Sequence, residues 1–232
     1  LAADDFDLRR DARDGAALAG LPVESSRNGA VYSVPIHRNA TLILDDGRAV
    51  PDPFSPSPNA SNAFPLEVAP TPRPLRLIVE LQVSPPELMS GMLPGFFAGF
   101  SAGPPALLNN VGETAPHLAL RFLPVRENRG RFELILNDGR NERLRIWSPP
   151  GAAVDFKPGD TIGLVLEYDP ADGKVRATAG NLANDRQVLL EFSADLPPET
   201  FSTVQFDITS LNKKHERIGA YPSFGAIRVE TF

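Results

Sequence analysis

The stretch Ile162-Gly-Leu-Val-Leu-Glu-Tyr-Asp-Pro-Ala-Asp-Gly-Lys-Val-Arg-Ala-Thr-Ala179 alternates apolar and polar residues on either side of a single turn. In an extended chain Ile162, Leu164, Leu166 and Tyr168 share one face, and Val175, Ala177 and Ala179 share one face of the return. The segment from Asp169 to Lys174 between them holds Pro, Asp and Gly, the residues that reverse a chain. Matching apolar faces across the pair sets Leu166 opposite Ala177, Glu167 opposite Arg176 and Asp169 opposite Lys174. A second hairpin is predicted from Arg131-Phe-Glu-Leu-Ile-Leu-Asn137, an Asn137-Asp-Gly-Arg140 turn, and the return through Leu144 and Ile146. There the same matching sets Leu134 opposite Leu144 and Phe132 opposite Ile146. Glu133 then lies beside Arg145, and Arg131 beside Trp147.

Working outward, alternating or apolar runs recur at 41–44, 75–83, 95–100, 118–123, 187–192, 201–208 and 226–232. Turn signals stand at Asp46-Gly47, Asp138-Gly139, Asp172-Gly173 and Pro197-Pro198. Helix is expected only in short pieces, over 11–19 and 209–214. Ten or more strands without an amphipathic helix predict an all-β, two-sheet antiparallel sandwich of jelly-roll type, because each sheet must hide an apolar face against another. One domain over 1–232 is the expectation, with long irregular loops near 9–28, 51–74 and 102–116. The middle loop carries eight of the 24 prolines and reads as a strap or a binding loop.

Composition narrows the partners. Proline stands at about twice its usual share of roughly 5%, in keeping with turns and strand edges rather than helix interiors. There is no cysteine, which removes disulfide scaffolds and thiolate zinc sites. A net charge of −6 lacks the basic footprint of a nucleic-acid binder, and no apolar run is long enough to span a membrane. The opening Leu1-Ala2-Ala3-Asp4 reads as the trailing end of a signal-peptide cleavage site, so a secreted or periplasmic location is expected. The oligomeric state is left open.

The segment order also resembles a known superfamily. Asp4-Asp5-Phe6, the Gly15 to Leu18 loop and Ala40-Thr-Leu-Ile-Leu-Asp-Asp-Gly47 resemble the opening of secreted bacterial domains of the concanavalin A-like, laminin-G-like jelly-roll superfamily. The strand over 75–83 followed by Gly95-Phe-Phe-Ala-Gly-Phe-Ser101 looks like its central strand pair. The hairpin at 163–176 looks like its measured strand, turn and next strand, and Phe224-Gly-Ala-Ile-Arg-Val-Glu230 like its last strand. The resemblance covers essentially the whole chain. It implies two packed sheets with the last strand beside the first, a concave face that often binds glycans, and in some members a calcium ion or a hydrolase site. Gly225-Ala226 stands where many relatives carry acidic residues, which counts against a calcium site near the chain ends.

The chemistry-bearing residues point to binding more than to catalysis. Glycosidases need paired carboxylates, about 5–5.5 Å apart for retention or 6.5–9.5 Å for inversion. Of the Glu-x-Asp-x-Glu strand used by glucanases of the superfamily, this chain has Glu167-Tyr168-Asp169 and then Ala171. Glu167 is instead expected to pair with Arg176. His37, His117 and His215 lie far apart, no metal-binding spacing links them, and a serine-hydrolase arrangement is not expected. Calcium is the one cofactor left open, at Asp4, Asp5 and Asp7, at Asp45 and Asp46, or at Asp169 and Asp172.

The informative surface is the outward face of the central strands. With Leu118, Leu120 and Phe122 turned inward, His117 and Arg121 point out, next to Arg131, Glu133, Arg145 and Trp147. An indole among arginines and a carboxylate suits a sugar ring and its hydroxyls; the alternative is ordinary pairing, Glu133 with Arg145 and Arg131 stacked on Trp147. The favoured function is a non-catalytic carbohydrate-binding or cell-surface interaction domain with a polysaccharide or glycan partner. Two alternatives stay open: a glycoside hydrolase or polysaccharide lyase with a non-standard site around Glu133, Glu167 and Asp169, and a protein-interaction module using the 51–74 strap.

Overall fold

Alternation of apolar and polar side chains organises the strands Thr161–Asp169, Lys174–Asn181 and Thr203–Thr209 most plainly in the computed structural model. It describes residues 3–6, 15–33, 41–52, 59–66, 73–83, 95–102, 116–126, 128–137, 145–147, 152–157, 159–184, 187–193, 201–209 and 223–231. The strands among them are β1 (Ala3–Asp5), β2 (Leu42–Asp45), β3 (Arg48–Pro51), β4 (Asn59–Pro65), β5 (Leu75–Gln82), β6 (Gly95–Ser101), β7 (His117–Arg126) and β8 (Arg129–Asn137). They continue with β9 (Arg145–Trp147), β10 (Ala153–Asp155), β11 (Thr161–Asp169), β12 (Lys174–Asn181), β13 (Gln187–Ser193), β14 (Thr203–Thr209) and β15 (Ser223–Thr231).

These strands build two antiparallel sheets. An eight-stranded sheet runs β13, β12, β11, β5, β15, β3, β2, with β1 on β15. A seven-stranded sheet runs β10, β8, β7, β6, β14, β4, with β9 on β8. The expected hairpin is β11 and β12, in the predicted register: Leu166 opposite Ala177, Glu167 opposite Arg176 and Asp169 opposite Lys174. Between β2 and β3 the expected Asp46-Gly47 turn has positive φ at both residues, 45° and 70°, the geometry of a two-residue hairpin turn.

The inward faces meet in one core. From the seven-stranded sheet come Phe96, Phe100, Leu118, Leu120, Phe122, Phe132, Leu134, Val204 and Phe206, and from the other Leu77, Val79, Ile162, Leu164, Leu166, Tyr168 and Phe224. Aromatic rings bridge the sheets edge to face: Phe224 meets Phe96 at 5.8 Å and Phe206 at 5.2 Å between centroids.

Tyr168 lies in this core against Phe201. Burial, helped by the charge of Asp169, pushes its phenol up to about 12. An unfolded tyrosine titrates near pH 10, so the folded form holds its proton more tightly. The stability this gives is complete below about pH 10 and is lost as pH rises towards the folded value. The stability of the wild type relative to Tyr168→Phe should therefore fall by about 1 kcal/mol from roughly pH 9 to roughly pH 11. Urea unfolding of both proteins at the two pH values measures it, and a constant difference would refute it.

Several expectations are corrected. The 51–74 stretch is not wholly irregular: Asn59–Pro65 forms β4, the edge of the seven-stranded sheet, paired along its length with β14. Pro65 falls at its end, where an edge strand tolerates a residue that cannot donate. Residues 15–19 are not helical; Ala17 bridges to Ile43 instead. The second hairpin has another register, with Leu134 opposite Trp147, Ile135 opposite Ile146 and Leu136 opposite Arg145. The turns at 138–139 and 197–198, the helix over 210–214 and most of the 102–116 loop lie outside the described residues.

Candidate functional site

The outward face of the seven-stranded sheet carries the polar groups, and its registers place them in rows across the strands. Thr203, Ser101, His117 and Asn137 stand side by side on β14, β6, β7 and β8. Two residues along, the row is Ala63, Gln205, Gly99, Ala119 and Ile135. The next is Ser61, Asp207, Phe97, Arg121 and Glu133. Arg131 follows beyond Glu133 on β8, opposite Leu123 and Ala153. The middle row is mostly small, with Ala63, Gly99 and Ala119 around Gln205, and it is buried.

These side chains point away from the core and are nevertheless buried. Ser61, Ser101, His117 and Gln205 are fully buried, and Asp207, Asn137 and Glu133 nearly so. Buried polar atoms need partners. Asp207 accepts from the Ser61 hydroxyl and from Gln205 Nε2, the latter at 3.0 Å to Oδ1 and 3.2 Å to Oδ2. Glu133 accepts from Arg121 Nε at 2.7 Å and from its Nη2, and pairs with Arg131 Nη2 at 2.6 Å. The Arg121 guanidinium lies 5.7 Å from the centroid of the Phe97 ring, a cation–π contact. Gln205 Oε1 and Ser101 Oγ are buried without a hydrogen-bond partner among the described residues.

Of the six residues predicted as ligand-binding, four lie on this face: Arg121, Arg131 and Glu133 together, and His117 apart from them in the Ser101 row. Arg145 and Trp147 lie on β9 and their side chains fall outside the described residues. Their predicted partners are wrong: Arg121 and Arg131 hold Glu133, and the backbone of Trp147 faces Leu134, not Arg131. Sequence reading missed Ser61, Ser101, Gln205 and Asp207. The signal for two of them was present, since Thr203-Val-Gln-Phe-Asp-Ile208 alternates strictly and leaves Gln205 and Asp207 opposite the apolar face.

Glu133, Glu167 and Asp169 do not share a site. Glu167 and Asp169 lie on the outward face of the eight-stranded sheet, with the core between them and Glu133. Glu167 is held by Arg76, Nε at 2.7 Å, and lies 3.8 Å from Arg176 Nη1. Asp169 Oδ1 accepts from the Ala171 amide and Asp172 Oδ1 from the Lys174 amide, so both shape the turn. The Lys174 side chain, hydrogen-bonded to Asp172, holds that carboxyl below its usual range. Among the described residues no three His, Asp or Glu side chains gather as a metal set, and no helix is long and apolar enough to cross a membrane.

Gly99-Phe-Ser-Ala-Gly103 has the spacing of a nucleophile elbow. Ser101 closes β6, paired on both sides with Thr203 and His117, and the residues from 103 on that would form the turn of such an elbow lie outside the described residues. A groove of about 340 Å³ on the eight-stranded sheet runs over Gly163, Gly180, Ile78, Val165 and Leu182. It ends at the Arg76–Glu167 pair, whose charges are satisfied within the sheet.

Two stacked antiparallel sheets, with the last strand lying beside the first, define a concanavalin A-like jelly roll. Several solved structures share this architecture at low identity. One is the exoplasmic/lumenal domain of VIP36 in its Ca2+/Man3GlcNAc-bound form, at a TM-score of 0.55 and 10% identity, covering 91% of this chain and 89% of that one. Another is the CBM2 module of the evolved Dit protein of Lactobacillus casei BL23 phage J-1, at 0.54 and 8%, covering 98% and 95%. Arcelin-5, a lectin-like defence protein of Phaseolus vulgaris, gives 0.51 and 11%, covering 86% and 90%. No protein-family model matches the chain, and no curated protein matches it by sequence.

Proposed function

We propose that the protein is a non-catalytic carbohydrate-binding domain that uses the outward face of its seven-stranded sheet. The observation that carries this reading is the pair of buried, partnerless polar atoms, Ser101 Oγ and Gln205 Oε1, on neighbouring strands of a face turned away from the core. Leaving such an atom unsatisfied costs about 1–3 kcal/mol, a penalty that a ligand rich in hydroxyls relieves. Ser and Gln beside Ala and Gly offer hydrogen bonds in both directions without steric bulk. The Man3GlcNAc-bound form of VIP36 and the carbohydrate recognition domain of Emp46p, which share the fold, support the same reading.

The test separates binding from folding. Because Ser101 Oγ has no partner, Ser101→Ala should leave stability unchanged or raise it by about 1 kcal/mol. Any glycan found on a polysaccharide array with the wild-type protein should bind this variant several-fold more weakly. An array without hits would refute the reading, as would a hit whose affinity the substitution leaves unchanged.

A further inference from the structure

We infer that the Arg121–Glu133–Arg131 group at the outer end of this face is a subsite for an acidic sugar, and that the glycan bound there carries a carboxylate or sulfate. The inference rests on the glycan-binding reading and adds the class of ligand. Its basis is charge and geometry. One carboxylate, Glu133, nearly fully buried, is shared by two guanidinium groups through separate oxygens, Oε2 for Arg121 and Oε1 for Arg131. No other carboxylate of the described residues pairs with either arginine, so the group carries one positive charge in excess. Asp207 lies two strands from Arg121, beyond Phe97, and is engaged by Ser61 and Gln205. The next outward residue on β8, Arg129, is half exposed and only loosely paired, 3.8 Å from Asp155 on β10. A surface pair of that kind is weak and screened. Within a chain of net charge −6, this end of the sheet concentrates positive charge on the same face as the buried polar rows.

The donors are also placed to be used. Arg131 is 49% exposed and spends one nitrogen on Glu133, which orients the rest of its fork towards solvent. Arg121 is 19% exposed and is fixed from below by Phe97. A planar guanidinium held by a buried carboxylate binds an incoming oxyanion at a small cost in side-chain entropy, and its fork fits carboxylate or sulfate bidentately. From Arg131 to the Ser101 row is three steps of two residues along the strands, roughly 20 Å, so one ligand reaching both is an oligosaccharide rather than a single sugar.

The test uses the whole chain in affinity electrophoresis through gels containing polygalacturonate, dextran sulfate or neutral dextran, followed by titration calorimetry. The expected result is retardation by polygalacturonate, weakened by added salt, with affinity about tenfold or more lower in Arg131→Gln and partly kept in Arg131→Lys. Retardation by dextran sulfate that is lost in Arg131→Gln supports the subsite with sulfate as the anion. Equal binding of neutral and acidic polymers, or acidic binding that Arg131→Gln leaves intact, overturns the subsite while the glycan-binding reading stands. Should none of these gels retard the protein and an array of neutral and acidic glycans give no hit, both fall. Because Arg131 is half exposed, its substitution tests the ligand rather than the fold, and matching thermal unfolding of the variants verifies that.

Discussion

Replacing Gly99 with alanine is expected to cost about 3 kcal/mol or more of folding stability, because the added methyl meets backbone rather than side chain. A Cβ at this position falls inside van der Waals contact of the Leu118 carbonyl oxygen, 2.6 Å from Ala119 Cα and 2.7 Å from Ala119 Cβ. β6 and β7 pair closely here, Gly99 directly opposite Ala119, in the middle of a sheet flanked on both sides. Neither strand can yield without breaking ladder bonds to its other neighbour. For a chain of this length the loss corresponds to a fall in melting temperature of roughly 10 °C. Gly163→Ala is the control. Its Cβ meets the end of Leu182 at 3.0 Å, and that side chain is 59% exposed and free to turn away. Its effect should stay within about 1 kcal/mol. Equal losses in the two variants would show that strand approach is not what Gly99 serves.

Arg121→Met is the second large effect, expected at about 3 kcal/mol, because it leaves a buried carboxylate half-compensated. Methionine keeps the apolar stem over Phe97 and removes only the charge and the donors. Glu133 would retain Arg131 alone, on Oε1, and its other oxygen, Oε2, would stand buried without the donors of Arg121. Converting the acid as well, in Arg121→Met with Glu133→Leu, should recover most of the loss, since a buried pair replaced by apolar groups is often neutral. The double-mutant cycle therefore predicts strong non-additivity. Losses that simply add, read from urea midpoints of the four proteins, would mean that the ion pair is not the source of the effect.

The two predicted hairpins show how far alternation can be read. In β11 and β12 every inward residue except the terminal Asn181 is apolar and every outward one is polar, small or half-exposed, and a compact Asp-Pro-Ala-Asp-Gly turn leaves one register that matches faces. In β8 the run Leu134-Ile135-Leu136 is apolar on both faces, since Ile135 packs outward against Phe97 and Ala119. Alternation then loses its power to tell the faces apart. The register observed, Leu134 with Trp147, is three residues from the one predicted, and an odd shift exchanges the faces. β4 escaped notice for a different reason. Asn-Ala-Ser-Asn-Ala-Phe-Pro has no β-branched residue and stands among prolines, and it becomes a strand through tertiary pairing with β14.

The candidate site divides along the same line. His117, Arg121, Arg131 and Glu133 were legible because each stands opposite an apolar neighbour in a strand whose core face is plain. Ser61 and Ser101 gave no such signal, as small hydroxyl residues occur on any exposed strand.

Class and inward faces thus follow from local chemistry: a period of two belongs to each strand separately, and the burial of one face is enough to enforce it. Which polar residues share a row is not local. Ser101, His117 and Asn137 lie side by side because three strands are aligned over the packing of Phe96, Phe100, Phe122 and Phe132 beneath them. Ser101 and Gln205 are buried on an outward face, which no single strand's alternation reveals and which makes their unmet hydrogen bonds costly and so informative.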